Sequence, residues 1–312
     1  MDYAQLKPGR RFAPVRSALY FGQRLVTQPA LRRLVVRMLT AALRRRHGSG
    51  RELHAGNGED EAALAELSRS GYVPLGHLLG SEECVAIHAY LQDKPLTDRD
   101  RARKPFVLAQ APQGVRVADY HLRDVIACPH ILALANSPPL LGLAARYLRC
   151  KPTISALGLR WSFPVAGSDS DLQAFHRDSE DWRYLKVLVY LTDVDLDAGP
   201  HVFLSGSHLT PAPARLRYYS DAAIAAMAAM AATAGNDGDG QLLTATGTRG
   251  FCFAVDTAGI HKGTAPRLLP RLMLQIQYSL LPGYAYRYAP ETWDGPLLLD
   301  PYVNRLIVRR PR

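Results

Sequence analysis

Acidic residues are nearly missing from the start of the chain: residues 1–52 carry 12 Lys+Arg but only Asp2 and Glu52. The whole chain has 38 bases and 28 acids, so residues 53–312 hold 26 of each and are neutral. The basicity is therefore local. Cysteine is scarce as well. Cys84, Cys128, Cys150 and Cys252 lie far apart without a CxxC pair, which excludes a zinc knuckle and a disulfide framework and fits a reducing cytosol. Long apolar runs are absent: no stretch reaches the roughly 18 residues that a spanning helix needs. The opening MDYAQLKPGRRFAPV runs into no apolar core of a secretory signal. The expectation is a cytoplasmic protein, soluble or peripheral to the inner face of a membrane. Aromatic residues do not interleave with the N-terminal arginines, so base stacking, and with it a nucleic-acid partner, is not expected.

With 312 residues and 47% hydrophobic composition, the chain can bury one large β-rich core. We read residues 1–52 as a basic leader and 53–312 as the main domain. In the leader, Leu31, Leu34, Val35, Met38 and Ala42 recur at helical spacing, with Arg33, Arg37 and Arg44 on the opposite side. Such a cationic amphipathic helix either packs its apolar stripe on the domain or, through residues 30–46, contacts an anionic membrane or acidic partner. Helices are expected at 62–68 and 81–91, with Ser81 as N-cap, around a strand at 72–75. A helical block over 122–148 is interrupted by Pro129 and Pro138-Pro139.

After Lys151 the texture becomes β. Branched and aromatic stretches at 153–163, 185–194, 201–204, 242–246, 250–256 and 271–280 alternate with Gly, Pro and Asp. This pattern suggests a sandwich or barrel. An alanine-rich helix over 221–234 lies in an insert near 211–240, as either a decorated loop or a substrate lid.

The chemistry concentrates in Phe175-His176-Arg177-Asp178, followed 83 residues after Asp178 by His261 and then by Arg271. Two residues apart on an extended chain, His176 and Asp178 project to the same side. Two imidazoles and one carboxylate occupy one face of an octahedron and leave three positions open, the donor set of a non-haem iron centre. Arg271 opens a strand and can bind a carboxylate bidentately. His201 and His208, in GPH and SGSH, read as loop-shaping residues.

The stretches FHRDSEDWRYLKVLVYLTDVDLDAGPHVFLSGSH and DTAGIHKGTAPRLLPRLMLQIQY resemble the phytanoyl-CoA dioxygenase family of Fe(II)/2-oxoglutarate oxygenases. The resemblance covers roughly residues 62–285 and leaves the basic leader outside. It implies an α+β fold with a mainly β core, a double-stranded β-helix (jelly roll, cupin-like) with supporting helices. It also implies Fe(II) on His176, Asp178 and His261, 2-oxoglutarate held by Arg271, and O2 as oxidant. Members often carry a hydroxyl two residues past the distal histidine. Gly263 stands there here, so Thr264 is the nearest candidate, while Gln173 and Lys186 are further cosubstrate partners. Asp181, Trp182, Arg183 and Ser207 would flank the open side as substrate contacts.

The implied activity is hydroxylation of an organic small molecule, lipid or glycoconjugate. A different class of protein, a non-catalytic jelly-roll module recruited through the basic helix, is the alternative. Iron and 2-oxoglutarate binding separates the two.

Overall fold

The computed structural model describes residues 2–53, 58–101, 103–165, 174–213, 218–233 and 240–311. A short strand, β1 (Asp2–Tyr3), precedes helices α1 (Pro14–Leu25) and α2 (Pro29–His47). Helix α3 (Gly58–Ser70) leads into β2 (Tyr72–His77), α4 (Ser81–Leu91), β3 (Leu96–Asp98) and β4 (Val117–Tyr120). The cap of α4 is Gly80, not Ser81, and its N–H donates to Glu83 Oε2 at 2.8 Å. The expected helical block divides into α5 (Leu122–Ala127), α6 (Ile131–Ala135) and α7 (Pro138–Leu148). Pro129 ends the first, and Pro138 opens the last, where a missing N–H costs nothing.

Then come β5 (Thr153–Ser162), β6 (Tyr184–Tyr190), β7 (His201–Leu204), α8 (Asp221–Thr233) and β8 (Leu242–Ala245). Strands β9 (Phe251–Val255), β10 (His261–Gly263) and β11 (Arg271–Ser279) complete the core. The C-terminal part adds β12 (Tyr286–Arg287), β13 (Glu291–Thr292), α9 (Pro301–Asn304) and β14 (Val308–Arg309).

The core is two sheets. Seven strands pair antiparallel in the order β2-β9-β6-β11-β5-β4-β3, and three in the order β10-β7-β8. Strand alternation divides their side chains between two layers. Leu185, Val187 and Val189 of β6 and Leu272, Leu274 and Ile276 of β11 pack with the helices. Leu188, Tyr190 and Met273 face Phe203 and Ala245 of the small sheet, each large apolar side chain contributing roughly 1.5–3 kcal/mol by burial. Tyr190 ties the sheets together, donating to Ala245 O at 2.9 Å and accepting from the His201 N–H at 3.0 Å. The fold is the expected double-stranded β-helix, an open pair of sheets and not a closed barrel. Because β6 is buried on both faces, it reads as a near-continuous apolar run interrupted by Lys186.

The N-terminal segment is seated on the domain. Strand β1 pairs with β12, and Arg16 donates to the Tyr286 carbonyl. The buried Gln23 donates to Ser179 O at 3.0 Å, and Arg32 donates to Asp181 O at 2.7 Å while lying over the Trp182 ring. On α2 it is Val36, Thr40 and Leu43 that turn inward, and His47 stacks on Tyr302 at 3.8 Å. Of the two readings of the apolar stripe, packing on the domain does not hold for Leu31, Leu34 and Met38, which are 50%, 51% and 58% exposed. The docked side of α2 carries Val36 and Leu43 against the core and Arg32 against the Asp181 carbonyl, so a different apolar pair meets the domain.

Candidate metal centre

The segment carrying His176 and Asp178 lies antiparallel beside β10. His176 and His261 exchange both main-chain hydrogen bonds at 2.9 Å, and the Asp178 N–H donates to Thr257 O at 2.8 Å. This pairing faces the two imidazoles, with ring centroids 4.5 Å apart. Asp178 reaches both, its Oδ1 at 3.6 Å from His176 Nε2 and its Oδ2 at 3.5 Å from His261 Nε2. One donor atom from each residue falls within 4.8 Å of the others, a set that could grip one cation. Arg177, between the ligands, projects oppositely and clamps the framework, donating to Ser207 O, Ala258 O and Thr210 Oγ1 at 2.8, 2.9 and 2.7 Å.

The surroundings prepare these donors. His176 Nδ1 lies 2.9 Å from Ala174 O and His261 Nδ1 lies 3.0 Å from Gly259 O. Those carbonyls favour the proton on Nδ1 and leave the Nε2 lone pairs for a metal. Burial lowers the His261 pKa to about 4, against the opposing pull of Asp178, and keeps the ring neutral. Burial works against charge on Asp178 too, but Lys186 and the two imidazoles outweigh it and hold the carboxyl well below its usual range. For His176, burial is likewise outweighed, by the hydrogen bond and charge of Asp178, and its pKa is raised. Two imidazoles and an ionised carboxylate fit Fe(II) in type and number.

A family model for phytanoyl-CoA dioxygenase (PhyH) matches residues 67–266. The chain belongs to the phytanoyl-CoA dioxygenase family. No curated protein matches it. Among solved structures, the non-haem α-ketoglutarate-dependent epimerase SnoN of nogalamycin biosynthesis is similar at 19% identity and TM-score 0.52, over 71% of this chain and 80% of that one. EctD from S. alaskensis with bound Fe is similar at 18% identity and TM-score 0.50, over 83% and 89%. At such identity these likenesses show the fold, that of the oxygenases of this family.

Within that fold, Arg271 begins β11 and is buried beside the triad. Nη2 makes a long contact of 3.4 Å to Ser162 Oγ, while Nε and Nη1 have no partner. Burial lowers its pKa. Sequence reasoning missed its neighbour, His201, whose place in Gly199-Pro200-His201 reads as loop-shaping. The structure stacks the His201 ring on that of His261, 5.5 Å between centroids and 19° between planes, with both nitrogens buried and unpartnered. His201 faces Gly263 across the β7–β10 pair. A Cβ at Gly263 would stand 3.4 Å from Arg271 Nη2 and 3.8 Å from His201 Nδ1, so the missing side chain leaves room for both groups. The approach also needs Gly199, at φ +73°, where a Cβ would collide with the Thr264 carbonyl. The available signal was Gly263 itself: a gap in one strand directs attention to its cross-strand partner.

The remaining expectations divide. Lys186 is buried and donates to Asp178 Oδ2 at 2.6 Å, with Glu180 Oε1 at 3.5 Å, so it steadies a ligand of the triad. Thr264 donates its N–H to Pro200 O at 3.0 Å, next to Gly263. Gln173 lies outside the described residues. The proposed substrate contacts belong to the scaffold. Asp181 is buried, accepting N–H bonds from Trp182 at 2.7 Å and Leu281 at 2.8 Å. Trp182 packs on the core, and the Arg183 guanidinium lies 4.2 Å over the Tyr147 ring. Ser207 is buried, donating to Leu204 O at 2.6 Å and accepting from the Ile260 N–H at 2.7 Å. Their positions follow from main-chain donors and acceptors that need partners inside a closed loop.

Helix α8 sits beside the centre: Ile224 packs with Phe175 and Ile260, the residues just before His176 and His261. Asp221 at its start pairs with Lys262 at 2.7 Å.

Proposed function

We propose that this family member is an Fe(II)/2-oxoglutarate-dependent dioxygenase that hydroxylates an organic small molecule, with lipids and glycoconjugates in the same class. The observation that carries the reading is the juxtaposition of a three-donor set with the four unpartnered nitrogens of Arg271 and His201. Bound iron and cosubstrate would supply the oxidation, in which O2 and 2-oxoglutarate give succinate and carbon dioxide while one oxygen atom enters a C–H bond of the substrate.

The chain's residues do the rest. His176, Asp178 and His261 hold the metal from one side, and the Ala174 and Gly259 carbonyls fix the ring orientations. Arg271 and His201 receive the far carboxylate of 2-oxoglutarate, the guanidinium as a charge-assisted donor and the neutral imidazole through its one N–H. Thr264 and Gln173 remain candidates to assist them. Lys186 keeps Asp178 ionised and placed. Helix α8, docked on Phe175 and Ile260, covers the approach to the metal as a lid.

A small-molecule substrate agrees with the same fold in EctD, solved with 2-oxoglutarate and 5-hydroxyectoine, and in SnoN, solved with nogalamycin RO. The test is anaerobic titration of the full chain with Fe(II) and then 2-oxoglutarate. A visible metal-to-ligand charge-transfer band, followed by succinate release when oxygen is admitted, is expected. No band at any cosubstrate concentration would replace the enzyme with the non-catalytic module.

A further inference from the structure

Helix α1 is seated the wrong way round for a helix that completes a core. Its polar residues Arg16, Ser17 and Gln23 bond to the chain, to the carbonyls of Tyr286, Leu6 and Ser179. Its apolar residues point out: Val15, Leu19 and Leu25 are 71%, 45% and 73% exposed, with Val15 and Leu19 one turn apart on the same side. Helix α2 packs Val36, Thr40 and Leu43 on the domain and still leaves a second apolar row, Leu31, Leu34 and Met38, outward. A folded domain does not turn the apolar ridges of two successive helices to water without use for them.

We infer that α1 and α2 form a docking face for an anionic membrane surface. The occupant is chosen by charge. From Tyr3 to Arg51 the chain has no acidic residue, and Arg33, Arg37, Arg44 and Arg45 stand exposed along α2, Arg45 next to the outward ridge and the others on the flank of the helix. Lipid headgroups of negative charge complement that field, each basic side chain near the surface adding about 1 kcal/mol, while the ridges enter the headgroup and acyl boundary. A second copy of the chain fits poorly, since it would bring two sets of arginines together with no acids between them.

The inner faces of both helices rest on the main chain of Ser179 and Asp181, directly after Asp178. Docking therefore holds the metal-site loop against the bilayer side of the molecule. The inference is independent of the oxidation chemistry, because it concerns lipid binding alone.

The experiment is vesicle flotation of the full chain with phosphatidylglycerol–phosphatidylcholine vesicles and with phosphatidylcholine alone. Binding to the anionic vesicles only, reversed by high salt, is expected. Replacing Val15, Leu19, Leu34 and Met38 by serine should weaken it at least about tenfold, as should Arg33, Arg37 and Arg44 to glutamine. Both sets lie outside the metal site and on exposed positions. Three results would overturn the inference: no binding by the wild type, unchanged binding in the serine variant, or unchanged binding in the glutamine variant. A concentration-dependent dimer abolished by the serine changes, without vesicle binding, would give the face to a second copy instead.

Discussion

At position 263 a hydrogen stands where most residues would carry a side chain, and His201 comes into that space from the neighbouring strand. If its N–H shares the cosubstrate carboxylate with Arg271, then His201→Leu should weaken 2-oxoglutarate binding about 10-fold to 100-fold, the range of one hydrogen bond to a charged group. The charge-transfer band reports this directly, and an unchanged titration would return His201 to a packing role. Asp181 makes a different prediction. Burial raises its pKa to about 7, partly offset by the N–H bonds of Leu281 and Trp182. The native state then holds its proton more tightly than the unfolded chain, whose carboxyl titrates near about 4. Stability from this group is full below that value and is lost as pH rises toward 7, then stays level. Thermal melts of wild type and Asp181→Asn across that window should differ in slope, with the decline absent in the variant.

Among elements, the described residues hold α8 to the centre through the fully buried Ile224, the partly buried Ala228 and the ion pair Lys262–Asp221. Ile224→Ala should cost about 2–5 kcal/mol of local docking, and the surface ion pair cannot compensate. Hydrogen exchange should then rise over residues 221–233 while β6 and β11 stay protected; uniform loss across the sheets would deny α8 its independence. Element identity was largely legible in the sequence. β7 and α4 occur with the expected bounds, and β5, β6, β9 and β11 lie within the expected stretches or one residue outside them, because a strand's texture is local. Strands β3 and β4 and helix α1 were not seen. The first two are short, at and next to the sheet edge, with few branched residues, and α1 carries its apolar spacing beside prolines and a glycine that masked it.

For the molecule as a whole, metal binding should be visible as stability. A divalent ion at 100 times its Kd adds about 2.7 kcal/mol, so Fe(II), or Mn(II) in its place, should raise the melting temperature of the wild type. The same ion should leave Asp178→Ala unshifted, and an equal shift in both would place the metal elsewhere. Removing residues 1–52 would take away β1, α1 and α2 together with their bonds to Tyr286, Ser179 and Asp181, so the truncated chain should melt lower before any question of lipid arises.

The linear order alone determined that His176 and Asp178 share a side, since an extended backbone alternates, and that positive charge gathers at one end. Which distant histidine meets them, that His201 joins Arg271, and which faces of α1 and α2 turn inward were settled only by the packed molecule. Those choices rest on which main-chain acceptors remain unpaired and where a side chain is missing, and neither exists until the strands have paired.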